Sequence, residues 1–126
     1  MADQQAFEPR EHTPEFSELE CRRLLATRAR GRVGLTIGAL PVILPVAYEY
    51  EDGVITFGIH HDATLQNAAH GHVLAFEVDA YDAESGCGWS VHVLGRATVT
   101  SVEEVPGHSV RLRCEIVNGR FLARSS

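Results

Sequence analysis

Apolar and polar residues alternate with a period of two through most of this chain, and the alternation predicts its strands. Arg32 to Ile37 (RVGLTI) is the first such run, and Gly38-Ala39-Leu40-Pro41 turns it into Val42 to Glu49. There Leu44, Val46 and Tyr48 alternate with Pro45, Ala47 and Glu49, and Asp52-Gly53 reverses the chain into Val54, Ile55 and Phe57, which predicts a hairpin. Val73 to Asp79 and the long run Trp89 to Val102 follow, separated by a Gly- and acid-rich loop from Tyr81 to Gly88. Gly95 interrupts the long run and predicts a bend or bulge where a barrel closes. Val110 to Val117 sets Val110, Leu112, Cys114 and Ile116 against Arg111, Arg113 and Glu115 as one strand, and Asn118-Gly119 reads as a turn into a short strand at Phe121-Leu122.

The period changes to that of a helix twice. Ser17-Glu18-Leu19-Glu20 has the form of a capping box, Phe16 and Cys21 stand at staple positions, and Cys21, Leu24, Leu25 and Arg28 share a face until Gly31. A polar segment from Gly58 to Ala63 leads to a short helical run, Thr64 to Ala69, with Gly71 placed for a left-handed cap. Pro45 breaks the rule for a paired strand, because its nitrogen has no hydrogen to donate. Its position must meet a sheet edge, a bulge or a ligand. Six or seven strands with regular turn signals and two short helices favour a small antiparallel barrel.

Composition narrows the chemistry. The 126 residues make one domain, Phe16 to Ser126, after an arm of residues 1–15 that is acidic and Pro-containing and is expected to be flexible. A net charge of -6 argues against nucleic acid, no apolar run is long enough to span a membrane, and the start of the chain does not resemble a signal peptide. All eleven basic residues are Arg, so no lysine is present to form a pyridoxal Schiff base. The group Arg22, Arg23, Arg28, Arg30 and Arg32 reads as a solvated face. Cys21, Cys87 and Cys114 are odd in number and unpaired in spacing, as expected for reduced thiols in a cytoplasmic protein.

The segments GRVGLTIGALPVILPVAY, FGIHHDATLQNAAHG and VLAFEVDAYDAESGCGWSVHVLGRATV resemble, in order and spacing, the pyridoxamine 5'-phosphate oxidase-related proteins of the FMN-binding split-barrel fold. The resemblance implies a mainly β, antiparallel split barrel and a homodimer with flavin in a groove between subunits. It implies a flavin-dependent oxidoreductase acting on a small molecule, with FMN or a deazaflavin as cofactor. Backbone of Pro45, Val46, Ala47 and Tyr48 is expected to border the ring. Phe57, Gly58, Ile59, His60, Thr64 and Leu65 are expected around the phosphate, and Trp89 and Ser90 enter from the second subunit. Glu77, at a common family position, is expected to pair with an Arg at the dimer interface.

The chain departs from the pattern where charge matters. Relatives commonly read PVNY where this chain has Pro45-Val46-Ala47-Tyr48, and F-R-T-G where it has Phe57-Gly58-Ile59-His60. A common lysine is replaced by Thr64. A charge-assisted hydrogen bond contributes ~1.5–3 kcal/mol, so losing both cations weakens phosphate binding by about two powers of ten or more. Thr64, His60, His61, Arg32 and Arg96 are the available replacements.

Two other readings stay open. One is a non-enzymatic small-ligand binder or sensor that has lost flavin, and the other is haem or metal binding through His60, His61, His70 and His72 with Asp62. Ser90, His92 and Asp79 do not read as a hydrolytic triad, because nothing in the sequence activates the serine.

Overall fold

The computed structural model describes residues 15–60, 63–101 and 107–123. Helix α1 (Glu18–Leu25) is followed by strands β1 (Arg30–Ile37), β2 (Leu40–Glu51) and β3 (Val54–Ile59), helix α2 (Ala63–Ala69), and strands β4 (Val73–Asp82), β5 (Cys87–Ser101), β6 (His108–Arg113) and β7 (Ile116–Leu122). Every pairing is antiparallel. The order β4-β1-β2-β3-β6-β5 returns to β4, so six strands form a ring and β7 extends from the edge of β5. This is the split barrel that the alternation and the resemblance predict.

The ring closes because side chains of one parity point inward. Val33, Ile55, Leu74, Phe76, Val91, Val93, Val110 and Leu112 are all almost wholly buried. The Asp52-Gly53 reversal is as expected, with φ of 50° and 75° at the two residues, the left-handed pair that a tight hairpin needs.

Helix α1 lays Cys21 and Leu25 into the core, and the Ser17 hydroxyl accepts from the Glu20 N–H at 3.2 Å. It stops at Leu25, well before Gly31, because the Thr27 hydroxyl takes the Leu24 carbonyl at 2.7 Å. Arg28 therefore leaves the helical face and its guanidinium lies 5.9 Å from the Trp89 ring centre. Arg22 is likewise no part of a merely solvated face. It donates to the Tyr50 hydroxyl and to the Cys114 carbonyl, both at 3.2 Å, and these bonds tie α1 to the barrel.

The Val110 to Val117 run is two strands, not one. Residues 97–101 of β5 pair with β6, residues 88–94 pair with β7, and the register slips by one residue at Cys114-Glu115. That slip is a bulge opposite Gly95, where the sequence predicted it. Asn118-Gly119 consequently lies inside β7, paired with His92 and Val91, and makes no turn. The Tyr81 to Gly88 loop shrinks to a turn at 83–86 between β4 and β5.

Residues 1–14 of the expected arm and residues 102–106, between β5 and β6, lie outside the described residues. Glu15, also assigned to the arm, bridges to Arg120, and Phe16 N–H donates to the Gly119 carbonyl at 3.0 Å. Gly71 ends α2 in the left-handed conformation, at φ 78°, and its N–H reaches the Ala97 carbonyl at 2.8 Å.

Candidate functional site: an open strand edge beside an outer trough

The barrel is split along β2. Tyr48 N–H donates to the Ala29 carbonyl at 2.9 Å, so alternation points the N–H groups of residues 46, 44 and 42 toward β1 as well. Residues 43, 45 and 47 present their backbone to the other edge. There β3 pairs only with Tyr48 to Glu51, so residues 43–47 have no strand neighbour on that side among the described residues. The Pro45 nitrogen sits on this open edge, which resolves its presence in a strand.

The outward side chains beside this edge form rows across five strands. Ile43, Gly34, Ala75, Leu94 and Ile116 make one row, and Pro45, Arg32, Glu77, His92 and Asn118 make the next. Small residues at the centre and larger ones at the flanks leave a trough of about 590 Å³. Its apolar flanks are unusually bare, with Ile43 72%, Ile116 57% and Leu94 43% exposed.

The second row is a connected polar network. Arg32 donates to Glu77 through Nε at 2.9 Å and also through a terminal nitrogen, which lies 2.9 Å from Asp79. The Glu77 bond, and then the Asp79 bond, raise the Arg32 pKa above its ordinary value. Glu77 thus finds its cationic partner within its own chain. Ser90 Oγ is 2.9 Å from His92 Nε2 and 3.4 Å from Glu77 Oε2, so the serine excluded as part of a triad does contact an imidazole and a carboxylate. It is 5% exposed, and its hydroxyl bridges His92 and Glu77.

The expected site residues divide by face. Pro45 and Ala47 lie on the outward face beside the trough, whereas Val46 faces inward and Tyr48 and Phe57 belong to the core. Tyr48 donates to the Leu25 carbonyl at 2.6 Å, and burial pushes its pKa up to about 12. Gly58 and His60 are exposed at the end of β3, where Ile59 is half-buried against the core. Thr64 opens toward Thr36 and His72, and Leu65 packs on the core. Trp89 and Ser90 fall on opposite faces of β5, with Trp89 beside Arg28 and Tyr81. Sequence reasoning missed Arg32, His92 and Asn118 as companions in the trough. The signal was their strand parity, which needed a register across four other strands to become a site.

His70 Nδ1 accepts from Val99 N–H at 3.0 Å, and His61 and Asp62 lie outside the described residues. Among the described residues no three His, Cys, Asp or Glu are placed to hold a metal ion. No helix among them is long and apolar enough to cross a membrane.

Comparison with known proteins follows the same outline. The family model described as pyridoxamine 5'-phosphate oxidase matches residues 17–125. An uncharacterized protein of Mycobacterium tuberculosis is 37% identical over 109 residues, which are 82% of this chain and 72% of that protein. The structure of a FAD-binding protein of Mycobacterium smegmatis is 30% identical, with a TM-score of 0.74, covering 86% of this chain and 97% of that one. A FAD-binding protein of Mesorhizobium loti, 18% identical, shares the fold with a TM-score of 0.74 over 89% of this chain and 98% of its own.

Proposed function

Because this chain belongs to the pyridoxamine 5'-phosphate oxidase family, we propose that it is a flavin-binding protein whose ring site is the open edge of β2 together with the outer trough. The observation that carries this reading is the outer backbone edge of residues 43, 45 and 47, without a strand neighbour among the described residues, beside a floor of Gly34 and Ala75. A planar heteroaromatic ring needs an apolar surface to lie on and backbone donors and acceptors at its rim, and both are present. Arg32, His92 and Asn118 supply polar groups along one side. The FAD bound by the 30% identical relative makes FAD a ligand to test beside FMN.

When bound, a flavin supplies hydride or electron transfer, and the protein supplies binding, orientation and electrostatics. The Arg32–Glu77–Asp79 network fixes a cation beside the trough, and Ser90 holds His92 at its rim. The bare flanks Ile43, Leu94 and Ile116 suit coverage by a second copy, which would bring the Trp89-Ser90 segment of that copy to the ring and form a homodimer. Oxidation or reduction of a small molecule in the covered trough is the activity this arrangement serves.

One observation favours a competing reading. Gly58 stands exposed at the end of β3 without the side chain that relatives use for the flavin phosphate, as a binder that has lost flavin would have it. The test is the absorption spectrum of the purified protein, with chromatography of any chromophore released on unfolding and titration of the apo form with FMN, FAD and a deazaflavin. Saturable binding of any of the three supports the flavin site, and a colourless protein that binds none selects the flavin-free reading.

A further inference from the structure

Past the bulge, the outward face of the barrel changes character. Arg96 and Thr98 of β5, Arg111 and Arg113 of β6, Val54 of β3 and Glu115 line a pocket of about 540 Å³. Thr98 is the cross-strand partner of Arg111, and Val54 that of Arg113. Arg111 and Arg113, two positions apart on one strand face, are separated by about 7 Å. Neither side chain makes a hydrogen bond or ion pair among the described residues. Arg96 is anchored, with its guanidinium on the Gly71 carbonyl and its N–H on Glu115 Oε1 at 3.3 Å. Three guanidiniums against one carboxylate leave a surplus of two positive charges in a chain whose net charge is -6.

Such a cluster repels itself until an anion enters, and guanidinium forks match phosphate oxygens in pairs. Thr98 adds a hydroxyl donor beside Arg111. We infer that this pocket is a binding site for a diphosphate group, carried either by a free nucleoside diphosphate or by a dinucleotide flavin. Two surplus charges match a multiply charged small anion. The acidic balance of the rest of the chain disfavours an extended polyanion such as nucleic acid. The inference stands on this pocket and is independent of ring binding at the trough.

The test is calorimetric titration of the flavin-free full chain with pyrophosphate, ADP, FMN and FAD in 150 mM salt, for the wild type and an R111Q/R113Q variant. Arg96 is kept because it holds Gly71. Both replaced side chains are exposed, and circular dichroism checks that the fold is retained. The expected result is saturable binding of pyrophosphate and ADP, weakened about tenfold or more in the variant, with FMN affinity unchanged. FAD affinity that falls with the variant assigns the diphosphate to the flavin, and unchanged FAD affinity assigns it to a free nucleotide. Absence of saturable pyrophosphate binding, equal affinity in the folded variant, or tighter binding of a short oligonucleotide overturns the inference. Failure of FMN or FAD titrations alone bears only on the trough.

Discussion

Gly95 of β5 lies directly beneath the carbonyl of Arg113, so close that a methyl group added at residue 95 would come within 1.5 Å of that oxygen. At this point the chain leaves its pairing with β3, passes Cys114-Glu115 as a bulge, and resumes along β5 as β7. Cys114 N–H donates to the Gly53 carbonyl at 2.9 Å and Glu115 N–H to the Leu94 carbonyl at 3.2 Å, so the crossing is hydrogen-bonded on both sides. It closes the barrel, and it divides the outer trough from the arginine pocket.

Gly95→Ala is therefore expected to lower stability by more than about 4 kcal/mol or to prevent folding, since backbone rather than a flexible side chain stands in the way. Gly34→Ala is the control, because its added methyl would lie 3.5 Å from the Ala75 methyl, at ordinary contact distance. It is expected to change stability by less than about 1 kcal/mol. Urea unfolding followed by circular dichroism ranks the two, and equal effects would show that the crossing tolerates a side chain.

The bulge shows what was legible in the sequence and what was not. Gly95 signalled it from one strand, but the unbroken alternation of Val110 to Val117 concealed its other half, because a one-residue slip is a property of pairing and leaves no local pattern. The strands, the Asp52-Gly53 hairpin and the Gly71 cap were readable because each follows from local periodicity or turn chemistry. The trough was not readable as a unit. Pro45, Arg32, Glu77 and His92 are far apart in sequence and share a row only after four strands take their register. Asn118-Gly119 misled for a physical reason, since the same dipeptide that favours a tight hairpin is tolerated in a strand where Gly119 packs closely on Cys21 and the Ser90 carbonyl.

Alkaline pH should destabilise the protein through two buried acids. Burial raises the Tyr48 phenol from 10 to about 12 and the Cys114 thiol from 9 to about 11, despite the nearby positive charge of Arg28 and of Arg22 respectively. Both groups hold their protons more tightly folded than unfolded. Their contribution is complete below pH 9 and is lost as pH rises, from 9 to 11 for the thiol and from 10 to 12 for the phenol. Chemical-denaturant midpoints measured from pH 8 to pH 11.5 should fall progressively. Cys114→Ala should flatten the lower part of that fall, and an unchanged profile would show that the thiol ionises freely in the folded state.

Tyr48→Phe tests the same core by a different route. The buried phenol donates to the Leu25 carbonyl at 2.6 Å, and its ring meets Phe76 edge-on with centroids 4.9 Å apart. Phenylalanine keeps the ring contact and leaves the carbonyl unpaired. The expected cost is about 1–3 kcal/mol at neutral pH. A melt showing no loss would mean that the end of α1 shifts to satisfy Leu25 elsewhere.

The proposed second copy is tested where the trough is barest. Leu94 and Ile116 are direct cross-strand partners on the outward face, and both stay more than two-fifths exposed in the single chain. Replacing them by Glu in an L94E/I116E variant takes nothing from the buried core, so secondary structure and unfolding cooperativity should be kept. If a second copy covers this face, light scattering after gel filtration should report a dimer for the wild type and a monomer for the variant, because paired carboxylates would face each other without water. Trp89→Ala supplies the complementary result. It removes the Arg28 contact and the side chain offered to the neighbouring ring, so it should leave the dimer intact while weakening flavin about threefold to tenfold. A wild type that is monomeric at high micromolar concentration would remove the second copy from the site, and the ring would then rest on the open β2 edge alone.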